Sequence, residues 1–291
     1  MIKLSAIQLN SKPCVQANIQ AIATQLTLLI ASSADAVEHI VVLPECCLFF
    51  GSDDKAQLSL AQQSQKNQQS NALVKALANL AKQYKITLIG GTIPLPVESE
   101  SKFTNTCLTF DVNGNVLGRY NKIHLFDVQL SDSSKNYYES RYTQAGNDVC
   151  LVKTPHVNIG LTVCFDVRFP ALYQALNQLG ADIITVPSAF TKVTGKAHWQ
   201  TLLQARAIEN QVYIIAAGQE GTHDNGRETW GHSMIISPWG EILACLEQGE
   251  GIISADFHGS EIQRIRTSMP LMPMAIDHAF KIKKTNRVIN E

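Results

Sequence analysis

The chain has 291 residues, of which 45% are hydrophobic and 17% are charged, a balance typical of a folded globular protein and not of a disordered chain. Its 24 Lys and Arg residues balance 25 Asp and Glu residues, so the sequence lacks the basic field that binds nucleic acid or an anionic membrane surface. We therefore expect a small-molecule ligand, with neither a nucleic-acid nor a membrane partner.

Apolar runs alternate with segments of helical periodicity through the first third of the chain. The apolar runs predict strands at residues 4–9, 40–43 and 86–89. One-sided apolar patterns between them predict amphipathic helices at residues 19–30 and 73–84. The Gln-rich stretch 62–69 precedes the second helix, and we interpret it as a solvated helical surface. The order of these elements is βαβαβ.

The elements predicted next lie between residues 107 and 217. A hairpin is expected because the apolar runs 107–112 and 116–120 flank Asn113-Gly114, a pair suited to the positive φ of a tight turn. Buried strands are predicted at 157–163, 183–186 and 213–217, with helices at 170–179 and 196–210 between them. This pattern indicates an α/β fold with a mixed sheet covered by helices. No linker or repeat divides the chain, so we expect residues 1–291 to form one domain.

The cysteines and the apolar segments bear on the cellular compartment. Seven cysteines occur, an odd number with no repeated spacing and no Cys-x-x-Cys motif, so a disulfide framework is not expected. The first residues lack the apolar core of a signal peptide, and the longest apolar runs are much shorter than the ~20 residues that span a bilayer. We therefore expect a cytoplasmic protein with reduced thiols.

Three polar residues, Glu45, Lys122 and Cys164, directly follow predicted strands, where α/β folds place their chemistry. Taken singly, each has an ordinary structural explanation as a loop carboxylate, a surface lysine or a small core residue. Only the combination of an acid, an ammonium and a thiol at strand ends predicts a shared catalytic pocket.

The segments around these residues resemble the motifs of the nitrilase superfamily of carbon-nitrogen hydrolases. The glutamate motif is Leu43-Pro44-Glu45, and the lysine motif is Tyr120-Asn121-Lys122-Ile123-His124-Leu125. The cysteine motif is Gly160-Leu161-Thr162-Val163-Cys164-Phe165-Asp166-Val167-Arg168-Phe169-Pro170. The similarity continues through residues 187–190, 194–199, 206–210 and 231–234, so it covers nearly the whole chain. It implies a four-layer α-β-β-α sandwich of two mixed sheets.

The chemistry of amide hydrolysis explains why these three residue types belong together. A carboxamide is a poor electrophile, so its hydrolysis at neutral pH needs a strong nucleophile and donors for the oxyanion. A free thiol has a pKa near ~8.5, and we expect the Lys122 ammonium to favour the thiolate of Cys164. Glu45 is expected to act as base and then as acid. Lys122 and the backbone N–H of Phe165 are expected to bind the oxyanion.

The resemblance also implies further site residues. Glu139 matches the family's second glutamate, which orients the lysine. Arg168, the backbone of Phe190 and the hydroxyl of Thr194 match the positions expected to bind a substrate carboxylate. These residues are not identifiable from the strand pattern alone.

Arg168 also has a structural alternative, an ion pair with a buried acid such as Asp166 or with a helix carboxylate, and the sequence does not separate this role from substrate binding. The chain departs from the family at Phe165, where Tyr is usual, and at Ala171, where many members have Glu. Neither change removes a catalytic group, but the missing carboxylate at Ala171 affects how Arg168 is held.

The choice of substrate follows from the segments after Cys164, which most resemble the branch that hydrolyses deaminated glutathione. A sister branch, omega-amidase, acts on α-ketoglutaramate. Both substrates are γ-amides of 2-oxoglutarate, so the resemblance implies a site for a 2-oxo acid carboxylate. A function of another class stays open, namely that the chain is a catalytically silent binding protein with the nitrilase fold. Retention of all the charged groups argues against this alternative.

Metal and cofactor sites are not expected, because the sequence has no His-Glu-x-x-His, no Cys/His pair at ligand spacing and no Gly-x-Gly-x-x-Gly motif. We interpret three histidines as structural, namely His124, His198 and His232. The adjacent Cys46 and Cys47 are interpreted as packing residues.

The resemblance further implies a homodimer or higher homo-oligomer, formed through helices near the cysteine strand. Residues 262–291 are a candidate tail across that interface.

Overall fold

The computed structural model describes residues 2–33, 36, 38–66, 71–129 and 136–271, and every structural statement concerns these residues. The helices are α1 (Val15–Ser32), α2 (Asp54–Lys66), α3 (Ala72–Tyr84), α4 (Pro170–Gln178), α5 (Lys192–Asn210) and α6 (Gly259–Ser268). The strands of the first half are β1 (Ile2–Gln8), β2 (Glu38–Val42), β3 (Thr87–Ile89), β4 (Ile93–Pro96), β5 (Phe103–Phe110), β6 (Val116–Asn121), β7 (Asp127–Gln129) and β8 (Asn136–Tyr138). Those of the second half are β9 (Leu151–Lys153), β10 (Asn158–Leu161), β11 (Ile183–Ser188), β12 (Tyr213–Gly218), β13 (Glu220–Thr222), β14 (Glu228–Trp230), β15 (Ser233–Ile236), β16 (Ile242–Leu246) and β17 (Gly251–Phe257).

Most of these strands belong to two mixed sheets. The first has the order β17-β1-β2-β3-β5-β4, and β6 also pairs with β5. Within it β1, β2 and β3 run parallel, and the other pairings are antiparallel. The second sheet has the order β16-β15-β12-β11-β10-β9, with β10, β11 and β12 parallel. The predicted mixed sheet is thus two sheets, each with a parallel centre.

The two sheets pack face to face, with helices against both outer sides. Along β1, Leu4 and Ala6 join the core shared with the second sheet, whereas Ile7 belongs to the core formed with α1 and α3. On the other side, α4 and α5 cover the second sheet through residues such as Leu176 and Leu203. Central strands buried on both faces read as nearly continuous apolar runs, which is why β1 does not alternate strictly. This confirms the four-layer α-β-β-α sandwich.

The limits of α3 follow from its capping residues. Asn71 is the N-cap, and its side chain accepts a hydrogen bond from the backbone N–H of Leu73. Lys85 ends the helix in the left-handed region at φ 55°. The prediction of a helix at 73–84 is confirmed. Gln62 and Gln63, from the Gln-rich stretch, lie on α2, and residues 67–70 are outside the described part of the chain.

The end of the described chain is helical and packs on the chain itself. In α6, Ile262 and Ile265 are buried, and the Tyr213 hydroxyl donates a 2.7 Å hydrogen bond to Glu261. The start of the candidate interface tail therefore belongs to the body of the protein, because its apolar face is already covered. Residues 272–291 of that tail lie outside the described residues. Among the described helices, none is long and apolar enough to cross a membrane.

Candidate active site

Glu45, Lys122 and Cys164 meet at the carboxyl ends of strands, as the sequence predicted. Glu45 follows β2 of the first sheet, Lys122 follows β6, and Cys164 follows β10 of the second sheet. All three line one cavity of about 100 Å³ between the sheets. The cavity therefore draws on both halves of the sandwich.

The charged centre of the cavity is a buried ammonium between two carboxylates. Lys122 Nζ lies 2.8 Å from Glu45 Oε1 and 2.8 Å from Glu139 Oε2. The Lys122 side chain is 2% exposed and that of Glu45 is 5% exposed, so water screens this contact little. The structure thus places Glu139, which only the resemblance had indicated, against the lysine.

Sequence reasoning missed Asn105, which bridges the two carboxylates. Its Nδ2 lies 2.9 Å from Glu45 Oε1 and 3.2 Å from Glu139 Oε1. Backbone N–H groups add to this arrangement, since Ala189 donates to Glu45 Oε2 at 2.9 Å and Phe126 donates to Glu139 Oε2 at 2.7 Å. Asn105 lies buried within β5 but before the predicted hairpin arm 107–112, so no sequence pattern singled it out.

Cys164 lies at a sharp turn between β10 and the 3₁₀ segment Cys164–Arg168. Its φ is 48°, in the left-handed region that a non-glycine residue adopts at a cost on the order of 1–2 kcal/mol. The turn presents the thiol to the cavity together with the side chain of Phe165, which also lines it. The Glu45 carboxylate lines the same cavity, and its charge acts on the Cys164 thiol by raising the pKa of that thiol.

Asp166 holds this turn against the lysine strand. Its carboxylate accepts hydrogen bonds from the backbone N–H of Val163 at 2.8 Å and from the Tyr120 hydroxyl at 2.7 Å. It also accepts from the backbone N–H of His124 at 3.0 Å and lies 2.7 Å from the Nδ1 atom of that residue. Asp166 is fully buried, and these contacts tie the cysteine motif to the lysine motif. The suggested pair between Asp166 and Arg168 is therefore wrong, because the carboxylate is engaged elsewhere.

The pKa shifts define the resting protonation state of the site. Burial raises the pKa of Glu45, but the Lys122 charge and the hydrogen bonds from Lys122 and Cys164 outweigh it, so the net pKa is lowered. Burial opposes the charge of Lys122, yet the two carboxylates raise its pKa well above the ordinary value. Burial and the Glu45 charge raise the pKa of Cys164, and Lys122 only partly offsets them. The resting site is thus a thiol, a carboxylate and an ammonium, which agrees with the expected role of Glu45 as the base for Cys164.

The predicted substrate-binding residues divide into two groups. Phe165, Phe190 and Thr194 line the cavity, whereas Arg168 is not among the residues that line it. The Arg168 guanidinium carbon lies 5.1 Å from the ring centroid of Phe190 and 5.7 Å from that of Phe165. Its Nη1 is 3.3 Å from His198 Nδ1. A cation that sequence reasoning missed, Arg227, lines the cavity directly.

The remaining histidines and cysteines have contacts of their own. His124 stacks on Phe169 with ring centroids 3.6 Å apart, and His232 Nδ1 lies 2.9 Å from the Trp230 carbonyl oxygen. No group of three or more His, Cys, Asp or Glu side chains in the described ranges is arranged to hold a metal ion. The adjacent cysteines Cys46 and Cys47 differ in position. Cys47 is fully buried in the core, as predicted, but Cys46 lines the cavity with φ 56°.

A two-sheet sandwich with a thiol, a carboxylate and an ammonium at one cavity defines a hydrolase of the nitrilase fold. A solved Saccharomyces cerevisiae member of branch 10 of the nitrilase superfamily superposes with a TM-score of 0.80, at 31% identity over 93% of this chain and 94% of that one. The nitrilase and fragile histidine triad fusion protein of Caenorhabditis elegans gives a TM-score of 0.83 at 33% identity, over 93% of this chain and 64% of that chain. The four-layer fold is therefore shared with both.

Residues 3–267 match the carbon-nitrogen hydrolase family, and the chain belongs to it. Among curated relatives, a deaminated glutathione amidase from Synechocystis is 39% identical over 91% of this chain and 95% of its own length. An omega-amidase from Xenopus laevis is 33% identical over 97% of this chain and 98% of its own. The nitrilase-superfamily resemblance of the sequence motifs is thereby confirmed.

Substituting Lys122→Met removes the cation between the two carboxylates. We expect the free energy of unfolding to fall by about 3–5 kcal/mol at pH 7, because an uncompensated buried charge remains. The wild-type Glu45 has a lowered pKa, so its contribution to stability is present above 4.5 and is lost as the pH falls through the folded-state pKa. Without Lys122 burial raises that pKa, so acid stabilises the variant. Urea titrations are expected to show that the free energies of unfolding of wild type and Lys122→Met differ less at pH 5 than at pH 7.

The matched control is Lys192→Met. Lys192 Nζ lies 2.7 Å from Glu228 Oε1, but both side chains are about half exposed, so we expect a change within about 1 kcal/mol at either pH. Equal destabilisation by Lys122→Met and Lys192→Met would contradict the buried-charge account.

Proposed function

We propose that the chain is an amidase that hydrolyses deaminated glutathione through a thioester on Cys164. The observation that carries the proposal is the convergence of Cys164, Glu45 and Lys122 on one cavity, where the Lys122 ammonium lies 2.8 Å from the Glu45 carboxylate and lowers its pKa. A thiol that shares a cavity with an ionised carboxylate is suited to nucleophilic attack with general-base assistance. The names of the curated relatives support this substrate class.

In the first half-reaction, the sulfur of Cys164 forms a bond with the amide carbonyl carbon while Glu45 accepts the thiol proton. The Lys122 ammonium and the Phe165 backbone N–H stabilise the oxyanion, each such donor being worth about 3 kcal/mol. The carbon–nitrogen bond then breaks, and the leaving amine takes the proton from Glu45. The resting protonation state makes proton transfer part of the attack itself, since the thiol ionises only as its proton moves to Glu45.

In the second half-reaction, water attacks the thioester carbonyl and Glu45 accepts a water proton. The carbon–sulfur bond breaks, the carboxylic acid leaves, and the thiol of Cys164 recovers its proton from Glu45. Glu139 and Asn105 take no proton in this scheme. Glu139 positions the Lys122 ammonium, and Asn105 positions the Glu45 carboxylate, through direct hydrogen bonds.

For the acyl part of the substrate, we propose contacts with Phe165, with the backbone of Phe190 and with the hydroxyl of Thr194. Thr194 Oγ1 lies 2.7 Å from Thr191 Oγ1, and both residues line the cavity. Arg168 contributes by fixing the Phe190 ring, on which its guanidinium lies.

A second candidate function is omega-amidase activity on α-ketoglutaramate. The omega-amidase relative from Xenopus laevis, which is 33% identical over 97% of this chain, favours it, and this amide has only ammonia as its leaving group. Deaminated glutathione has the same acyl part, and its larger leaving group would extend along the lining residues Gly51, Ser52 and Asp53, of which Asp53 is exposed. The two candidates therefore differ at the leaving-group end of the cavity.

A substrate panel tests the function. Purified protein is incubated with deaminated glutathione, α-ketoglutaramate and a simple nitrile, and the release of cysteinylglycine and ammonia is measured. We expect cysteinylglycine from the first substrate with the highest kcat/KM, and no turnover by Cys164→Ala. Ammonia mainly from α-ketoglutaramate would favour the omega-amidase candidate. No turnover of any amide and no thioester by mass spectrometry would favour a silent binding protein.

The pH profile tests the protonation state. Because Lys122 lowers the pKa of Glu45 and burial raises the pKa of the Cys164 thiol, the carboxylate and thiol coexist across neutral pH. We expect kcat/KM for deaminated glutathione to stay within about a factor of two between roughly pH 6 and pH 8.5. A profile that climbs tenfold with an apparent pKa near ~8.5 would instead indicate that a pre-formed thiolate attacks.

We also propose a cytoplasmic, dimeric protein. All seven cysteines are free in the structure, which suits a reducing compartment. Exposed apolar residues occur at the outer surface of α5 and beside it, where Ile208 is 46% and Trp239 is 54% exposed. Ile208 lies next to Gly240, the neighbour of Trp239 in the chain, and we propose that this exposed apolar surface is the site of association.

Light scattering tests the assembly, and we expect twice the 32.0 kDa mass of the chain. Ile208→Glu is expected to shift the population towards the monomer, because a charge would be buried in the apolar contact. Val116→Glu, at another exposed apolar position on β6, serves as the control and should leave the mass unchanged. A wild-type mass of one chain would contradict the dimer.

A further inference from the structure

Arg227 lies between β13 and β14, and it is one of two basic residues that line the cavity within the described ranges. The other is Lys122, whose charge is compensated by two carboxylates. In the part of the chain that the structure describes, no carboxylate lies within ion-pair distance of Arg227. The cavity thus contains one compensated cation and one that is available to an anion.

The hydrogen bonding of Arg227 is incomplete. Its Nη2 donates to the carbonyl oxygen of Ala189 at 3.0 Å. Its Nε is buried and has no hydrogen-bond partner among the described residues. A buried donor without a partner costs about 1–3 kcal/mol, and more for a charged group, so a bound acceptor at this position would recover that cost.

The guanidinium is held in place by two aromatic rings. Its central carbon lies 5.2 Å from the ring centroid of Phe50 and 5.2 Å from that of Tyr137. Phe50 packs edge-on against His223 at 4.5 Å, and His223 is anchored by Thr229 Oγ1 at 2.7 Å. Burial lowers the pKa of His223 to about 4, so this support adds no charge at neutral pH. A planar cation fixed between rings is suited to bind a planar anion with little loss of entropy.

Ala189 connects Arg227 to the catalytic base. Its N–H donates to Glu45 Oε2 at 2.9 Å, and its carbonyl oxygen accepts from Arg227 at 3.0 Å. One residue therefore sets the spacing between the Glu45 carboxylate and the guanidinium. That spacing limits how far a substrate anion lies from the carbonyl that Cys164 attacks.

We propose that Arg227 is a specificity-determining residue that binds a carboxylate of the amide substrate through its free Nε–H and a second N–H of the guanidinium. The inference rests on the proposed amidase function, and it assigns the direct anion contact to Arg227, with Arg168 acting behind the aromatic rings. Arg227 thereby selects anionic amides over neutral amides of the same shape. A bidentate guanidinium–carboxylate pair provides both charge and orientation.

The test compares α-ketoglutaramate with 4-oxopentanamide, in which a methyl group replaces the carboxylate. Deaminated glutathione is measured as well, because it has a second carboxylate at its leaving-group end. For Arg227→Met we expect kcat/KM to fall roughly 10- to 100-fold on a carboxylate-bearing substrate, mainly through KM, and less than about threefold on 4-oxopentanamide. Arg227→Lys should recover only part of the loss, since lysine lacks the planar fork. Arg264→Met, at an exposed arginine on α6, is the control for loss of a positive charge.

The substrate comparison also locates the carboxylate. A loss on both α-ketoglutaramate and deaminated glutathione assigns it to the acyl part, and a loss on deaminated glutathione alone assigns it to the leaving group. The proposal is overturned if Arg227→Met loses no more on either of these substrates than on 4-oxopentanamide. Equal loss on all three amides would mean that Arg227 only maintains the structure around Ala189.

A binding measurement separates this inference from the proposed function. 2-Oxoglutarate and cysteinylglycine are titrated calorimetrically into Cys164→Ala and into Cys164→Ala combined with Arg227→Met. We expect Kd for one of the two ligands to rise roughly 10- to 100-fold when Arg227 is lost, even if no amide is turned over. Unchanged Kd values, or no binding of either ligand to Cys164→Ala, would reject an anion site at Arg227.

Discussion

The Lys122 ammonium is the interaction on which the site depends, because it lies between the buried Glu45 carboxylate and the partly exposed Glu139 carboxylate and holds the pKa of Glu45 below its ordinary value. Its 2.8 Å contacts with Glu45 and Glu139 offset the free energy that burial of these charges costs. Asn105 and the backbone N–H groups of Ala189 and Phe126 occupy further carboxylate lone pairs. The site is thus a small charge network whose members each keep the others in position.

Two backbone positions connect this network to the sandwich. The turn at Cys164 ends β10, and Asp166 ties it through Tyr120 and His124 to the strand that carries the lysine. Ala189 follows β11 and donates to Glu45 from the other sheet. The reacting groups are therefore fixed only when both sheets are packed together, and a change in the packing of the sheets would separate thiol from base.

Burial has opposite consequences for the two ends of the proton transfer. It raises the pKa of the Cys164 thiol, while Lys122 holds the pKa of Glu45 below its ordinary value. The attraction of the Lys122 ammonium alone would favour a thiolate, but desolvation and the negative charge of Glu45 outweigh it and raise the pKa of Cys164. Catalysis in such a site depends on geometry, because the thiol needs its base within hydrogen-bonding distance at the moment of attack. The need for this short distance also explains why Glu45 is buried as deeply as Cys164.

The sequence by itself determined the motifs around Glu45, Lys122 and Cys164, the family, and most long elements, because apolar periodicity and strand ends are local properties. Several short elements such as β13 (Glu220–Thr222) and β14 (Glu228–Trp230) escaped prediction, since their polar residues have no period that marks a strand. Only the tertiary structure decided that Asn105 bridges two carboxylates, that Asp166 bonds to Tyr120 and not to Arg168, and that Arg227 lines the cavity. These contacts join residues that are distant along the chain, so they exist only after two sheets have packed and no local pattern encodes them.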